Sequence, residues 1–314
     1  MATMPDIATR AAYGEALKDL GAKYNFFVMD ADLSGSTMTG VFAKAFPERF
    51  INCGIAEANM ISTAAGISTT GVPVFASSFA MFASGRAFEQ IRNSVGYPHL
   101  NVKIAATHSG ITVGEDGATH QCLEDVALMR TIPGMTVICP ADATEAYAAV
   151  EAILKHDGPV YFRLGRFPVP IIFDKQTYKF EQGKAVPLTD GGDAAIFATG
   201  IMVDAALKAH ELLKNEGIFT SVVNIHTIKP LDTDAVIKYS NKTGFVVTAE
   251  EHSIIGGLGS AVAEVIAENC NAKLSRLGTN DTFGRSGSAS QLLDYYNLNA
   301  QGIVAKVRKL LKNK

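Results

Sequence analysis

Short apolar runs alternate with longer amphipathic segments through the first half of the chain. The runs rich in β-branched and aromatic residues predict five strands, at residues 25–30, 72–76, 102–107, 136–139 and 160–164. The segments between them predict four helices, at residues 10–20, 57–67, 80–95 and 142–155. Strands that alternate with helices at this spacing are typical of a parallel α/β sheet.

The pattern breaks over residues 167–192, where prolines, glycines and charged side chains interrupt it, and then resumes. Further strands are predicted at 194–198, 220–224 and 244–248, and helices at 202–215, 232–240 and 259–269. We therefore predict an α/β protein of two three-layer domains, each built on a parallel sheet. The first domain is assigned to residues 1–180, the linker to 181–192 and the second domain to 193–314.

Composition narrows the classes of function. The chain has 314 residues, a formal net charge of −3 and no dense block of lysine and arginine, which argues against a nucleic-acid partner. Its four cysteines are widely spaced and lack a Cys-x-x-Cys motif, so we expect a reducing, cytoplasmic setting. Charged residues interrupt the first 25 positions, and the long uncharged stretch after Glu57 is rich in Ser, Thr and Gly, so neither a signal peptide nor a membrane span is expected.

Glu57 is the only charged residue in the 36 positions between Arg49 and Arg86. Burying an ionised carboxylate without a partner is strongly unfavourable, so such a group takes a proton, finds a cation or binds a ligand. Carboxylates of this kind are often catalytic acids or bases. The alternative is a glutamate held at a helix N-terminus by the helix dipole.

The densest polar cluster follows the predicted strand at 102–107. It holds two histidines, a Glu-Asp pair and three glycines within 14 residues. A metal site is possible because His120 and Glu124 are four residues apart, but no third ligand completes it. No Gly-x-Ser-x-Gly hydrolase motif is present. Recognition of a polyhydroxylated anionic substrate fits best, and the alternative is a loop whose polar groups satisfy its own turns.

Four motifs in order resemble transketolase. They are Ala-Asp-Leu-Ser-Gly-Ser at 31–36, Gly-Ile-Ala-Glu-Ala-Asn-Met at 54–60, Ser-Phe-Ala-Met-Phe at 78–82, and Thr-His-Ser with Gly-Glu-Asp-Gly-Ala-Thr-His-Gln at 107–121. The resemblance covers essentially the whole chain. It corresponds to the C-terminal half of a full transketolase, which is the pyrimidine-binding domain followed by the C-terminal domain.

The resemblance implies thiamine diphosphate as cofactor. Glu57 matches the family's catalytic glutamate, which hydrogen-bonds N1′ of the aminopyrimidine and favours the imino form that removes the C2 proton. Phe79 and Phe82 match aromatic residues that line the pyrimidine pocket, and Asp32 and Leu33 match residues beside the thiazolium. The next family aromatic is replaced by Gly85, so we expect a more open pocket.

The resemblance also implies a site for sugar phosphates. The residues that match the phosphate-holding groups are Arg10, Ser36, His120 and Arg166. Arg163 competes with Arg166 for this role. His108 and Asp116 match residues that contact substrate hydroxyls near the reacting carbons, and His108 is assigned as catalytic. His108 favours transketolase over deoxyxylulose phosphate synthase and over the β subunit of a 2-oxo-acid dehydrogenase.

One family motif is missing. The Gly-Asp-Gly and downstream Asn that hold metal and diphosphate in this superfamily do not occur, so no metal ligand is assigned to this chain. The resemblance therefore implies a separate N-terminal-half subunit that holds Mg²⁺ and diphosphate, with two copies of each chain. We expect a two-carbon ketol transferase active only with that partner. The alternatives are a subunit of another thiamine diphosphate enzyme and a non-catalytic regulatory paralogue.

Overall fold

The computed structural model describes residues 5–312. The helices are α1 Thr9–Gly21, α2 Ser34–Thr37, α3 Gly40–Ala45, α4 Glu57–Ser68, α5 Phe88–Gln90, α6 Asp125–Arg130, α7 Ala143–Lys155, α8 Met202–Lys214, α9 Thr233–Thr243, α10 Leu258–Asn269, α11 Ala289–Tyr295 and α12 Ala300–Leu311. The strands are β1 Phe27–Asp30, β2 Phe50–Asn52, β3 Val74–Phe79, β4 Val102–Thr107, β5 Thr136–Ile138, β6 Val160–Arg163, β7 Val186–Pro187, β8 Ala194–Ala198, β9 Thr220–Asn224, β10 Thr227–Lys229, β11 Phe245–Ser253 and β12 Lys273–Thr279. Within this part of the chain, no helix has the length and apolar character needed to cross a bilayer.

Two sheets organise the structure. The first has seven strands in the order β10-β5-β6-β4-β3-β1-β2, and the second has five in the order β12-β11-β8-β9-β7. All neighbours are parallel except the edge strands β10 and β7. Every residue of β3, β4 and β6 is buried, as expected for strands covered on both faces. The prediction of an α/β protein with two parallel-sheet domains is confirmed.

Four strands were not predicted, and all four lie at sheet edges: β2, β7, β10 and β12. Residues 181–192, predicted as a linker, include β7, which pairs with β9 as an edge of the second sheet. Strand β10 lies in the range assigned to the second domain, yet it pairs with β5 of the first sheet. Strands of two and three residues show no period in the sequence, and only packing selects their partners.

The helix predicted over residues 80–95 is divided in the structure. Helix α5 has three residues and lies between π-helical turns at Met81–Arg86 and Ile91–Gly96. In the first turn Ser84 Oγ donates to the Ala80 carbonyl at 2.6 Å. Such π turns are frequent at functional sites. This one carries Phe82 and Arg86, both of which contribute to the site below.

Tyr13 anchors helix α1 on the first sheet. Its fully buried ring lies 6.1 Å from the rings of Phe75 and Phe162. Its hydroxyl and Ser77 Oγ share a buried hydrogen bond of 2.8 Å. Because α1 also carries Arg10, this contact helps to hold a predicted substrate residue over the sheet.

We expect Tyr13→Phe to lower the free energy of unfolding by about 1–3 kcal/mol, because Ser77 Oγ loses its buried partner. The double variant Tyr13→Phe with Ser77→Ala should regain at least half of the loss, because both polar partners are then gone. Urea denaturation of the isolated chain measures both. A double variant no more stable than Tyr13→Phe would contradict this account.

Candidate active site

The predicted site residues gather at one edge of the first sheet. They follow the carboxyl ends of β1, β2, β3, β4 and β6, which are neighbours in the sheet. The residues after these strands are Asp32, Leu33, Ser36, Glu57, Phe82, His108, Asp116, His120 and Arg166, and Phe79 ends β3. Ligands of parallel α/β sheets bind at this edge. Arg10 joins them from the start of α1, where its Nη1 donates to the Ser36 carbonyl.

A buried carboxylate shapes the turn after β1. Asp30 is fully buried, and burial raises the pKa of its carboxyl. It accepts three hydrogen bonds, from the Leu33 N–H, Thr37 Oγ1 and Thr39 Oγ1. Within this turn Asp32 has a φ of 64°, a left-handed conformation that is uncommon for a side chain other than glycine. Its exposed carboxylate accepts from Asn52 Nδ2 at 2.9 Å.

Glu57 has a cation as its partner. The side chain is 1% exposed at the first residue of α4, and its Oε2 accepts from Arg86 Nη1 at 2.8 Å. The Arg86 guanidinium also lies 4.9 Å from the centre of the Phe82 ring. Sequence reasoning missed the Glu57–Arg86 pair, because the four-residue spacing of Phe82 and Arg86 indicates only the contact between the guanidinium and the ring.

The two phenylalanines and two histidines form one aromatic wall. The rings of Phe79 and Phe82 are 5.9 Å apart and nearly parallel, with an angle of 13° between them. The His108 ring stacks on Phe79 with 3.7 Å between centroids, and the His120 ring stands on edge to Phe82 at 5.3 Å. The wall therefore runs without interruption from the predicted pyrimidine pocket to the predicted sugar site.

Gly85 has no side chain, but Met81 fills part of the space that a side chain there would occupy. A Cβ placed there would lie 2.6 Å from Cε of Met81, so the methionine occupies part of the space that a larger side chain at position 85 would need. Methionine side chains adapt to irregular gaps because three of their bonds rotate freely.

His108 is neutral at ordinary pH. It is 3% exposed, and burial, together with the charges of Arg10, Arg166 and His120, lowers its pKa to about 3. Its Nδ1 is 2.9 Å from Thr107 Oγ1 and its Nε2 is 3.4 Å from Arg10 Nη1. A neutral imidazole can accept or donate a hydrogen bond without adding charge to the site.

The two candidate arginines differ in what they contact. Arg163 is buried and its Nε donates to Asp125 Oδ2 at 2.8 Å. Arg166 is 38% exposed, contacts the Val113 carbonyl and lies 3.7 Å from the carboxylate of Asp116. Burial and then the charge of Arg166 lower the pKa of Arg10. Two nearby cations beside a neutral histidine form a suitable environment for an anion.

The side chains at this edge suit the aminopyrimidine end of a thiamine cofactor better than its diphosphate end. The Glu57 carboxylate and the Phe79–Phe82 wall suit an aromatic ring with hydrogen-bonding nitrogens. Among residues 5–312, no three His, Cys, Asp or Glu side chains are grouped so that they could hold a metal ion. His120 and Glu124 thus gain no third ligand within the described residues.

Comparison with known proteins agrees with this geometry. Residues 5–170 match the family described as the transketolase pyrimidine binding domain, and residues 183–303 match the transketolase C-terminal domain. The chain belongs to the transketolase family. It carries the two domains that make up the C-terminal half of a full transketolase.

Its relatives include separate transketolase subunits of similar length. A putative transketolase C-terminal section of Methanocaldococcus jannaschii is 56% identical, with 96% of each chain covered. A 6-deoxy-6-sulfo-D-fructose transketolase subunit of Clostridium sp. is 45% identical, with 97% of this chain and 95% of the relative covered. A solved structure described as a split gene transketolase, inactive beta4 tetramer, superposes with a TM-score of 0.91 at 52% identity, with 98% of this chain and 99% of that one covered.

Replacing Arg86 by Met keeps an apolar stem over Phe82 but removes the partner of Glu57. We expect the free energy of unfolding of the isolated chain to fall by about 1–3 kcal/mol at pH 8, less than for a fully buried pair because Arg86 is half exposed. In a Glu57→Gln background the same replacement should have less than half of this effect. Urea unfolding of the four proteins measures the coupling, and strictly additive losses would contradict it.

Proposed function

We propose that this chain is the C-terminal subunit of a two-chain transketolase that moves a two-carbon ketol unit between sugar phosphates. The observation that carries the proposal is the placement of buried Glu57 on the same sheet edge as Arg10, His108 and Arg166. One end of that edge suits a pyrimidine, and the other suits an anionic sugar. The aromatic wall of Phe79 and Phe82 joins them.

Five residues of this chain would hold the cofactor: Glu57, Phe79, Phe82, Asp32 and Leu33. Thiamine diphosphate, when bound, supplies the carbon nucleophile that carries the ketol unit. Glu57 would share a proton with N1′ of the aminopyrimidine, and Arg86 would then have to share or release the Glu57 carboxylate. Phe79 and Phe82 provide stacking surface, and the turn held by Asp30 fixes Asp32 and Leu33.

The sugar would lie across the histidines and arginines. Arg10 and Arg166 clamp its anionic group with help from Ser36 and His120, and an anion there offsets the crowding of positive charge. His108 and Asp116 contact hydroxyls near the reacting carbons. His108 acts as a neutral hydrogen-bond partner because its pKa is so low.

The anion can be a phosphate or a sulfonate. The Clostridium relative is named for 6-deoxy-6-sulfo-D-fructose, a sugar that carries a sulfonate where phosphorylated sugars carry phosphate. Guanidinium pairs bind both groups, and the dianionic phosphate gains more from two arginines. We favour phosphate, and comparing the two classes of sugar in the assembled enzyme decides between them.

The metal and diphosphate end is assigned to a separate N-terminal-half subunit, in an assembly with two copies of each chain. The split-gene neighbour, a tetramer of β chains described as inactive, fits a requirement for a second chain. We place the complex in the cytoplasm, in keeping with its free cysteines.

In the complete enzyme, Glu57→Gln should slow turnover by about 10²-fold or more, because the carboxylate no longer shares a proton with the cofactor. Steady-state kinetics with saturating thiamine diphosphate and Mg²⁺ measure this. Circular dichroism and native mass spectrometry of the variant serve as controls for folding and assembly. Wild-type turnover in the variant would refute the role of Glu57.

Affinity purification from native cells should recover a second chain with the Gly-Asp-Gly and Asn motif in a 1:1 ratio. Native mass spectrometry of the eluate identifies it and gives the copy number. We expect ketol transfer only when both chains are present with thiamine diphosphate and Mg²⁺. Recovery of this chain alone, or a complex inactive on sugar phosphates, would favour a regulatory paralogue or another thiamine diphosphate enzyme.

A further inference from the structure

The second domain holds the loop that carries the candidate sugar-binding residues. This loop, residues 108–121, includes His108, Asp116 and His120 and connects β4 to the segment before α6. At its centre lies a 3₁₀ turn, Ile111–Val113, whose residues are all buried. The turn packs against α11 and β11, which belong to the second domain.

A buried carboxylate of β11 makes the central contact. Glu251 is 4% exposed, and its Oε1 accepts the Thr112 N–H at 2.6 Å. Gly110 makes this approach possible. Its φ is +75°, and a Cβ at this position would lie between 2.2 and 2.6 Å from the three carboxylate atoms of Glu251. The loop backbone therefore packs directly against the Glu251 carboxylate, and position 110 has no room for a side chain.

Further neutral contacts lie within the loop and between the loop and the second domain. Gln121 Nε2 donates to the Ile111 carbonyl at 3.0 Å and to the Arg285 carbonyl at 2.9 Å. A Cβ at Gly117 would lie 2.4 Å from Ser286 Oγ. These contacts bring the segment at 285–286 against the loop. The ionisable side chain of Glu251, on β11, accepts a hydrogen bond from the loop backbone.

Charged groups surround this contact on the side of the sheet. Arg163 Nη2 donates to the Glu251 carbonyl at 2.9 Å, and Arg163 Nε pairs with Asp125. Burial raises the pKa of the Glu251 carboxyl to about 7, and Arg163 and the Thr112 N–H offset only part of that effect. The groups adjoining Glu251 along β11 are Glu250 and His252. A carboxylate this poorly solvated depends on its hydrogen bond to the loop.

We propose that Glu251 is a positioning residue for substrate binding: by holding Thr112, it places His108, Asp116 and His120 against the sugar. The inference rests on the proposed function for its effect on substrate. It rests on geometry alone for its effect on the loop. It gives the second domain a part in recognising the substrate, although that domain supplies none of the candidate site residues.

The neighbouring Glu250 provides a matched control. It is buried to the same degree, and burial raises the pKa of its carboxyl to about 7 as well. Its two oxygens accept the N–H groups of Leu258 and Gly259, at 2.7 and 2.8 Å. These amides begin α10 of its own domain. Changing Glu250 therefore removes a buried carboxylate with backbone partners while leaving the loop contact in place.

Hydrogen–deuterium exchange on the full chain alone tests the contact. We expect Glu251→Ala to speed exchange of the Thr112 amide by about tenfold or more, because a backbone donor loses its acceptor. Glu251→Gln, which keeps an acceptor oxygen, should stay near the parent, and Glu250→Ala should leave Thr112 protected. If Glu251→Ala does not fold, Glu251→Asp, which shortens the side chain by one methylene, should show the same direction. Unchanged protection of Thr112 in Glu251→Ala or Glu251→Asp would overturn the proposal.

Kinetics of the assembled enzyme test the consequence. We expect Glu251→Ala to raise KM for the sugar phosphate by about tenfold with kcat within about threefold, and Glu251→Gln to restore most of the loss. Glu250→Ala should leave KM unchanged. Faster exchange at Thr112 with an unaltered KM would reduce Glu251 to a structural role and overturn the proposal. An assembly inactive even with the parent chain would refute the proposed function, and the exchange result would still decide the contact.

Discussion

The structure depends on one electrostatic constraint: a carboxylate that leaves water must find donors inside the protein. Asp30, Asp125, Glu57 and Glu251 are all buried, and each meets the constraint in a different way. Asp30 takes donors from its own turn, and Asp125 takes a buried arginine. Glu57 takes a half-exposed arginine, and Glu251 takes a backbone amide of the other domain.

These buried carboxylates differ in how readily another group can replace their present partners. The Asp125–Arg163 pair is enclosed, so removing either partner would leave a buried charge with nothing to offset it. Arg86 is open to solvent, so it can leave Glu57 and be rehydrated when another group arrives. This difference separates a carboxylate that holds the fold from one that can serve chemistry, although both residues are equally buried.

The aromatic wall gives the edge of the sheet two chemical ends. Glu57 and Arg86 lie at one end, and Arg10 and Arg166 lie at the other, with stacked rings between. His108 belongs to both ends because its ring stacks on Phe79 while its nitrogen faces Arg10. A low pKa keeps this residue uncharged, so positive charge stays with the arginines that are expected to bind the anion.

Local patterns in the sequence determined the α/β class, most of the longer elements and the importance of Glu57. Buried parallel strands are continuous apolar runs, and a single charge among 36 residues stands out without any structure. Tertiary structure alone decided that β10 joins the first sheet and that π turns form at residues 81–86 and 91–96. It also decided the partner of Glu57 and the contact between Glu251 and Thr112. Glu251 and Thr112 are 139 positions apart, and β10 has three residues. Neither leaves a periodic signal, because packing of distant segments, not local preference, brings such groups together.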